Sequence, residues 1–335
     1  MLKEIPLPFS CNIPGIDRDI TGISTFSILL VIAFLTASYL IPRELKRRKL
    51  NPEVTDWVIL LAVIGTVVGA KIGFVFEVWT DIWIVDESWK DTLYHVLAFR
   101  KGMGEKLPGT NAIGLWEALF SGGGLVFYGG FIAGFGAVWT YLKYNKYDIW
   151  TYGDAFIPSM AVGYAIGRMG CMVSGDGCFG HAASIDIPIL TMIYGPMSVV
   201  STSGVNVWNT PVMEAFISLM LFIWMMKKGR FANYKPGFMI AVFFVVNGIS
   251  RFLVEFLRLN DALIPILDPP TVEIVAGQTV PLSYESAIQA GAGPAYYFQH
   301  WHWYGFTQSQ LVGVALVAVG LIWIFSKKLY QKSKV

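Results

Sequence analysis

"NGISRFLVEFLRLND", residues 247–261, sets Asn247, Arg251, Glu255 and Arg258 into a run otherwise suited to hydrocarbon. Their spacing puts all four on one face of a helix. Whether that helix lies in water or in lipid decides the fold, and composition settles the question. Of 335 residues, 55% are hydrophobic and only 14% charged, and the mean hydropathy is +0.55. A soluble domain of this size carries about 25% charged residues. The chain is therefore an all-α polytopic membrane protein. A charge near the bilayer centre costs ~2.5–3.5 kcal/mol on insertion scales, so these polar residues need a reason to be there.

Working outward, seven apolar runs have the length needed to cross a ~30 Å hydrocarbon core as helices. They are 23–42, 54–77, 122–142, 151–173, 209–226, 236–257 and 308–326. Basic residues gather in alternate connections: "RELKRRK" (43–49), "KYNK" (143–146), "KKGRFANYK" (227–235) and the tail "KKLYQKSK". The positive-inside rule then places the N-terminus outside and the C-terminus in the cytoplasm. Residues 1–20 are polar and broken by Pro and Gly, so no cleavable leader is expected and the first span directs insertion. The chain reads as one integral-membrane domain, 1–335. It has an extracytoplasmic loop at 78–121 and an extracytoplasmic cap insertion at 258–307, in which a hairpin about Ala276-Gly277 and a helix at 283–290 are expected. A net charge of +2 gives no reason to invoke nucleic acid.

With orientation assigned, the polar residues inside spans fall at one depth, toward the outer leaflet: Lys71, Tyr128, Arg168, Glu214, Arg251 and Glu255, from five spans. Two readings stand. Such groups can be pairs that orient helices, or interfacial side chains that snorkel outward. Alternatively they line a net-cationic pocket, because Glu255 alone cannot neutralise both Arg168 and Arg251. Such a pocket suits an anionic lipid headgroup, since the planar guanidinium donates two parallel hydrogen bonds to phosphate. Glycines surround the same residues in "SGGGLVFYGG" (121–130) and "GRMGC" (167–171). Gly129 and Gly130 serve either close helix packing or a bound ligand through their N–H groups.

Several blocks, taken in order, resemble the prolipoprotein diacylglyceryl transferase family: "GGLVFYGGFIAG" (123–134), "AVGYAIGRMGCMVSGDGCFG" (161–180), "PVMEAF" (211–216), "NGISRFLVEFLR" (247–258) and "GFTQSQL" (305–311). "GAKIGFVF" (69–76) is similar to that family's Gly-Ala-Arg block, with Lys71 in the arginine position. The resemblance implies a seven-span enzyme of the bacterial cytoplasmic (inner) membrane, working toward the outer leaflet without metal or organic cofactor. Its substrates would be phosphatidylglycerol, a membrane lipid, and the lipobox cysteine of a preprolipoprotein signal peptide. The diacylglyceryl group would pass to the thiol as a thioether while glycerol phosphate leaves. By position, Arg168 matches the arginine assigned to the headgroup and Arg251 the second essential arginine. Glu255 would orient Arg251. Lys71, Gly129, Gly130, Ser174, Asp176, Glu214, Asn247 and Arg258 would complete the substrate site.

The chain departs from the family pattern in three places. Tyr128 stands where better-known members have the histidine of His-Gly-Gly, a favoured general base, and a tyrosine with a pKa near 10 is a poor base at neutral pH unless arginines depress it. Cys171 and Ser174 replace two asparagines, with Asp176 following. Phe26-Ser27 lies where a Tyr-Gly pair is expected. "QHWHWYG" (299–305) reads as an aromatic interfacial anchor or as a source of a replacement base, His300 or His302. Cys171 and Cys178, with His181 near them, admit a zinc site, a disulfide or two inert thiols; the resemblance favours no metal. Two other functions remain open: a non-catalytic anionic-lipid-binding or transport protein, and a related transferase with another lipid or thiol acceptor.

Overall fold

The computed structural model describes residues 4–11, 20–77, 127–273 and 279–331. Strands β1 (Glu4–Cys11) and β2 (Ile20–Ser24) precede helices α1 (Thr25–Arg47) and α2 (Val54–Glu77). After the gap come α3 (Phe127–Tyr144), α4 (Ile149–Ser174), α5 (Thr210–Lys227), α6 (Phe238–Val254) and, nearest the C-terminus, α9 (Gln308–Ser326). Six helical segments are long and apolar enough to cross a membrane: Thr25–Arg47, Val54–Gly73, Ile149–Ser174, Thr210–Phe231, Phe238–Leu257 and Gln308–Ser326. They coincide with six of the seven expected spans. The run at 122–142 corresponds to α3, whose expected first residues lie outside the described residues, as does the loop 78–121. Large apolar side chains on these helices face outward, Leu35 at 63% exposure and Ile322 at 66%, as lipid contact requires.

The chain divides into two compact units, one holding α2 and α3, the other α1 and everything from Trp150 onward. In the first of these, α2 and α3 run antiparallel with almost no side chain between them. A Cβ added at Gly65 would meet the Gly134 Cα at 2.9 Å, and one at Gly130 would meet the Thr66 carbonyl at 2.9 Å. Gly129 lies against Gly69 in the same contact. Lipid tails are as apolar as leucine, so membrane helices gain by approaching closely, and glycine permits that.

The larger unit uses the same device between α6 and α9. An added Cβ at Gly248 would meet the Gly313 carbonyl at 2.6 Å, and one at Gly320 the Ala241 carbonyl at 2.8 Å. These contacts set an antiparallel register in which residue 248 opposes 313, so Arg251, one turn on, opposes Ser309. Helix α5 crosses α4 with the Ser218 hydroxyl donating to the Ala161 carbonyl at 2.8 Å. At the opposite end of the spans from residue 251, buried Asp154 of α4 accepts the N–H groups of Gly237 (2.8 Å) and Ile240 (3.1 Å). It thereby satisfies orphan donors at the start of α6 from a neighbouring helix.

Two polar segments lie outside the spans. Between α4 and α5, β3 (Thr191–Met192) pairs antiparallel with β4 (Val207–Trp208). Around them Phe179, Tyr194, Val205, Val207 and Phe298 form a small core. After α6, β5 (Ile264–Pro265) pairs with β8 (Gly305–Phe306), and β6 (Thr271–Glu273) with β7 (Thr279–Pro281). The tip of the β6–β7 hairpin, including Ala276-Gly277, lies outside the described residues. Helix α7 (Tyr284–Gln289) starts at a capping box on Ser283, and α8 (Pro294–His300) follows. Val272, Leu282, Ala287 and Trp301 pack together beneath them. The two segments are joined by backbone bonds, His181 N–H to the Leu257 carbonyl (2.9 Å) and Ala182 N–H to the Phe298 carbonyl (2.9 Å).

Replacing Asp154 with alanine strips two buried N–H groups of their acceptor, at about 1–3 kcal/mol for a group left unsatisfied. Asp154→Ala is expected to lower the thermal unfolding midpoint in detergent. An unchanged midpoint would mean that Asp154 contributes nothing to holding α6.

Candidate active site

Four helices meet at one end, each with a polar or charged side chain within two turns of that end. Helices α4 and α6 end there, carrying Arg168 and Arg251; α5 and α9 begin there, carrying Glu214 and Ser309. Glu214, 1% exposed, is the hub. Its Oε2 lies 2.7 Å from Arg168 Nε and its Oε1 accepts from Arg251 Nη1 at 3.0 Å. The Arg168 Nε–H is directed at the Tyr164 hydroxyl, 3.0 Å away, so the contact with Oε2 is charge attraction without an aligned hydrogen bond. The Arg168 Cζ also sits 5.1 Å over the Tyr164 ring.

Arg251 makes two further contacts. Its Nη2 donates to Ser309 Oγ at 2.9 Å and lies 3.6 Å from Glu255 Oε2. The expected i,i+4 pairing with Glu255 is therefore the longer of its two ion pairs, and Glu214 from another helix is the principal partner. Glu255 is fully buried where α6 passes into a short 3₁₀ turn, Glu255–Leu257. Its Oε1 accepts from the Thr307 hydroxyl at 3.0 Å and from the Asn260 amide. Thr307 in turn caps α9 in a reciprocal bond with Gln310.

Arg258 completes the cluster, with its Nε 3.8 Å from Glu255 Oε2. Its side chain is 10% exposed, yet Nε and Nη1 have no hydrogen-bond acceptor. Three guanidinium groups thus face two carboxylates, and the Cys178 sulfur and the Asp176 carboxylate lie at the edge of the same cluster. Glu214 Oε2 and Glu255 Oε2 likewise accept no hydrogen bond, so the cluster holds unused donors and unused acceptors side by side.

Arg168, Glu214, Arg251, Glu255 and Arg258 are brought together as the sequence suggested. Other expected site residues have local partners. The Asn247 amide donates to the Phe243 carbonyl of its own helix (2.9 Å), the Ser174 hydroxyl donates to the Cys171 carbonyl (3.3 Å), and Asp176 Oδ1 accepts the Cys178 N–H (3.0 Å). Lys71, Gly129 and Gly130 belong to the unit of α2 and α3, where the two glycines form the helix contact described above. Tyr128 lies in α3, and its side chain is outside the described residues. His300 is exposed, bonded to the Tyr296 carbonyl (3.0 Å) and stacked on the Tyr296 ring, and His302 bonds the Asp268 carbonyl (3.3 Å). His181 bonds the Ala182 carbonyl, and His95 lies outside the described residues. Tyr164, Asn260, Thr307 and Ser309 also take part in the cluster. Tyr164 could have been found as the residue one turn before Arg168, and the other two hydroxyls sit within the "GFTQSQL" block.

Removing the charge of Glu214 takes away the carboxylate that faces Arg168 and leaves Arg251 only its longer pair with Glu255. Breaking a buried ion pair in this way costs ~3–5 kcal/mol. Glu214→Gln is expected to destabilise the protein to thermal unfolding more than Ser218→Ala on the same helix. Equal midpoints for the two variants would remove Glu214 from its place at the hub.

The family model for prolipoprotein diacylglyceryl transferase matches residues 18–326. A phosphatidylglycerol–prolipoprotein diacylglyceryl transferase of Leptospira interrogans is 44% identical over 334 residues, covering 99% of this chain and 98% of its own. Proteins of the same name are similar at lower identity. In Prochlorococcus marinus it is 23% over 249 residues, 73% of this chain and 78% of that one; in Clostridium perfringens a second such transferase is 25% identical over 246 residues, 72% and 82%. The matched span takes in all the helices whose arginines and glutamates build the cluster. On the breadth of that match, the chain belongs to the prolipoprotein diacylglyceryl transferase family.

Proposed function

We propose that the chain transfers the diacylglyceryl group of phosphatidylglycerol to the lipobox cysteine thiol of a preprolipoprotein. The observation that carries this reading is the shared carboxylate. Glu214 holds the guanidinium groups of Arg168 and Arg251 at 2.7 and 3.0 Å, next to a third arginine with bare donors. That arrangement suits a phosphodiester, whose oxygens accept short, charge-assisted bonds.

In the reaction the peptide thiolate attacks the glyceryl carbon, forming the C–S bond as the C–O bond to phosphate breaks. Glycerol phosphate departs with the electron pair, and the thiol proton is lost to the surroundings. Negative charge grows on the leaving phosphate in a place of low dielectric, where fixed cationic donors act strongly. Arg168 binds the phosphodiester, Arg251 steadies the leaving group, and Arg258 supplies the unpartnered donors. Glu214 and Glu255 fix the guanidinium planes. Tyr128, in the family's histidine position, orients the headgroup through its hydroxyl. Lys71, by its place in the family's Gly-Ala-Arg block, is the further cation expected of the substrate site.

The site belongs to a seven-span protein of the bacterial cytoplasmic membrane and opens toward the outer leaflet. The N-terminus is outside, the tail "KKLYQKSK" is cytoplasmic, and the segments 78–121 and 258–307 form outer-side insertions of one membrane domain. The alternation of basic connections supports that orientation. A C-terminal alkaline phosphatase fusion is expected to be inactive and a C-terminal fluorescent fusion bright. The reverse result would put the site on the wrong side for a secreted precursor.

The decisive assay joins purified protein, phosphatidylglycerol and a lipobox peptide, with thioether formation followed by mass. Arg168→Ala and Arg251→Ala are each expected to lose about 10²–10³ in rate, the effect of removing one donor to a developing anion. Normal transfer by both variants would end this assignment. Binding of phosphatidylglycerol with no transfer by the wild-type chain would leave a lipid-binding protein, and transfer to a different acceptor a related transferase.

A further inference from the structure

Beside the arginines lies a group of side chains to which the proposed transfer gives no step. Cys171 is buried in the last turn of α4. Cys178, half-buried, follows two glycines of positive φ, Gly175 at 62° and Gly177 at 87°. The two sulfurs and a carboxylate oxygen of Asp176 all lie within 4.8 Å of one another. Arg168 Nη1 donates to Cys178 Sγ at 3.9 Å, and the Thr210 hydroxyl holds the Cys178 carbonyl. Both thiols are free.

The Cys178 thiol is pulled down to about 7, first by its hydrogen bond with Cys171, then by the charges of Arg258 and Arg168, against burial and Asp176. A low thiol pKa leaves much of the group as thiolate at neutral pH, the form that attacks disulfides. The same three ligands could be offered to a metal. Against that, one sulfur already accepts from a guanidinium and one Asp176 oxygen from a backbone N–H. A divalent ion would also add positive charge beside Arg168 and Arg258.

We propose that Cys171 and Cys178 form a reversible intrachain disulfide that takes the Cys178 sulfur away from Arg168. The cysteines are seven positions apart, and their sulfurs need to close only from within 4.8 Å to the bonding distance of about 2 Å. Gly177 gives the loop room to do so, since a Cβ there would have its nearest neighbour, Val200, at 3.4 Å. In the first step the Cys178 thiolate attacks one sulfur of an external disulfide, and one thiol leaves. In the second, the Cys171 sulfur, losing its proton, attacks Cys178 Sγ and expels the second thiol. The two cysteines give up two protons and two electrons, and the external disulfide becomes two thiols. In the reduced chain Arg168 has a sulfur acceptor; in the oxidised chain it does not, and the headgroup site changes with it. That last link rests on the transferase reading given above.

The test treats the full-length protein in detergent with oxidised glutathione, blocks remaining thiols and digests with trypsin. Both cysteines fall in the segment 169–227, which excludes Cys11. The segment is expected to lose about 2 Da, to resist alkylation and to regain both thiols with dithiothreitol. Cys178→Ser should show no such loss. In the reduced chain, alkylation of Cys178 should rise with pH through a midpoint near 7, because the thiol's lowered pKa makes thiolate available above that value. Two alkylatable thiols after oxidation would overturn the proposal. So would a bound equivalent of zinc that blocks oxidation until it is chelated. Transfer by the oxidised chain is expected to fall about tenfold, as for one charge-assisted hydrogen bond; unchanged transfer overturns the link to Arg168. A chain that forms the disulfide but transfers no lipid in either state would overturn the transferase reading and leave the disulfide in place.

Discussion

The rest of the structure depends on one buried carboxylate. Glu214 lies in a helix made for hydrocarbon and is 1% exposed, so its charge must be met by protein groups. It is met by two, Arg168 from α4 and Arg251 from α6, at opposite oxygens. An isolated ion in such a place costs several kcal/mol, and an ion pair recovers that only with good geometry and further hydrogen bonds. Tyr164 and Ser309 supply those bonds. Because the partners come from different helices, the electrostatic requirement is also a constraint on how α4, α5, α6 and α9 may stand.

That constraint works because the helices are already close. Gly248 and Gly313 bring α6 and α9 into backbone contact, and the register they impose carries Arg251 to Ser309 and Glu255 to Thr307. At the far end of the spans Asp154 holds the first turn of α6. A rigid frame of this kind matters for phosphate chemistry, where the donors must already point at the place in which charge develops. The unsatisfied guanidinium nitrogens of the cluster belong to Arg258, where α6 ends, near the Oε2 of Glu255.

The loops at the same end are small folded structures in their own right. The β3–β4 segment and the 258–307 insertion share backbone hydrogen bonds and an aromatic core that includes Phe179 and Phe298. They also bring Cys178 to Arg168. Cys171 lies one helical turn from Arg168, whereas Cys178, beyond the end of α4, reaches it through the loop.

Much of this was legible from the residues. Hydropathy and helical period located six helices long and apolar enough to cross a membrane, because in lipid a helix must satisfy its own backbone and its length is set by the bilayer. The face shared by Arg251, Glu255 and Arg258 follows from the helical repeat alone. What the sequence could not supply was pairing between helices. The spacing of Arg251 and Glu255 pointed to a local partnership, whereas the shorter contact is with Glu214, 37 residues away. Asn247 shares that face but spends its amide on its own helix, and Tyr164 and Ser309 acquire meaning only once α4 and α9 are in place. The amino-acid sequence by itself determined which segments are long and apolar enough to cross a membrane and which of them carry charge. Tertiary structure alone decided which charges face one another, because in a medium that cannot solvate them that choice depends on close helix contact and on register.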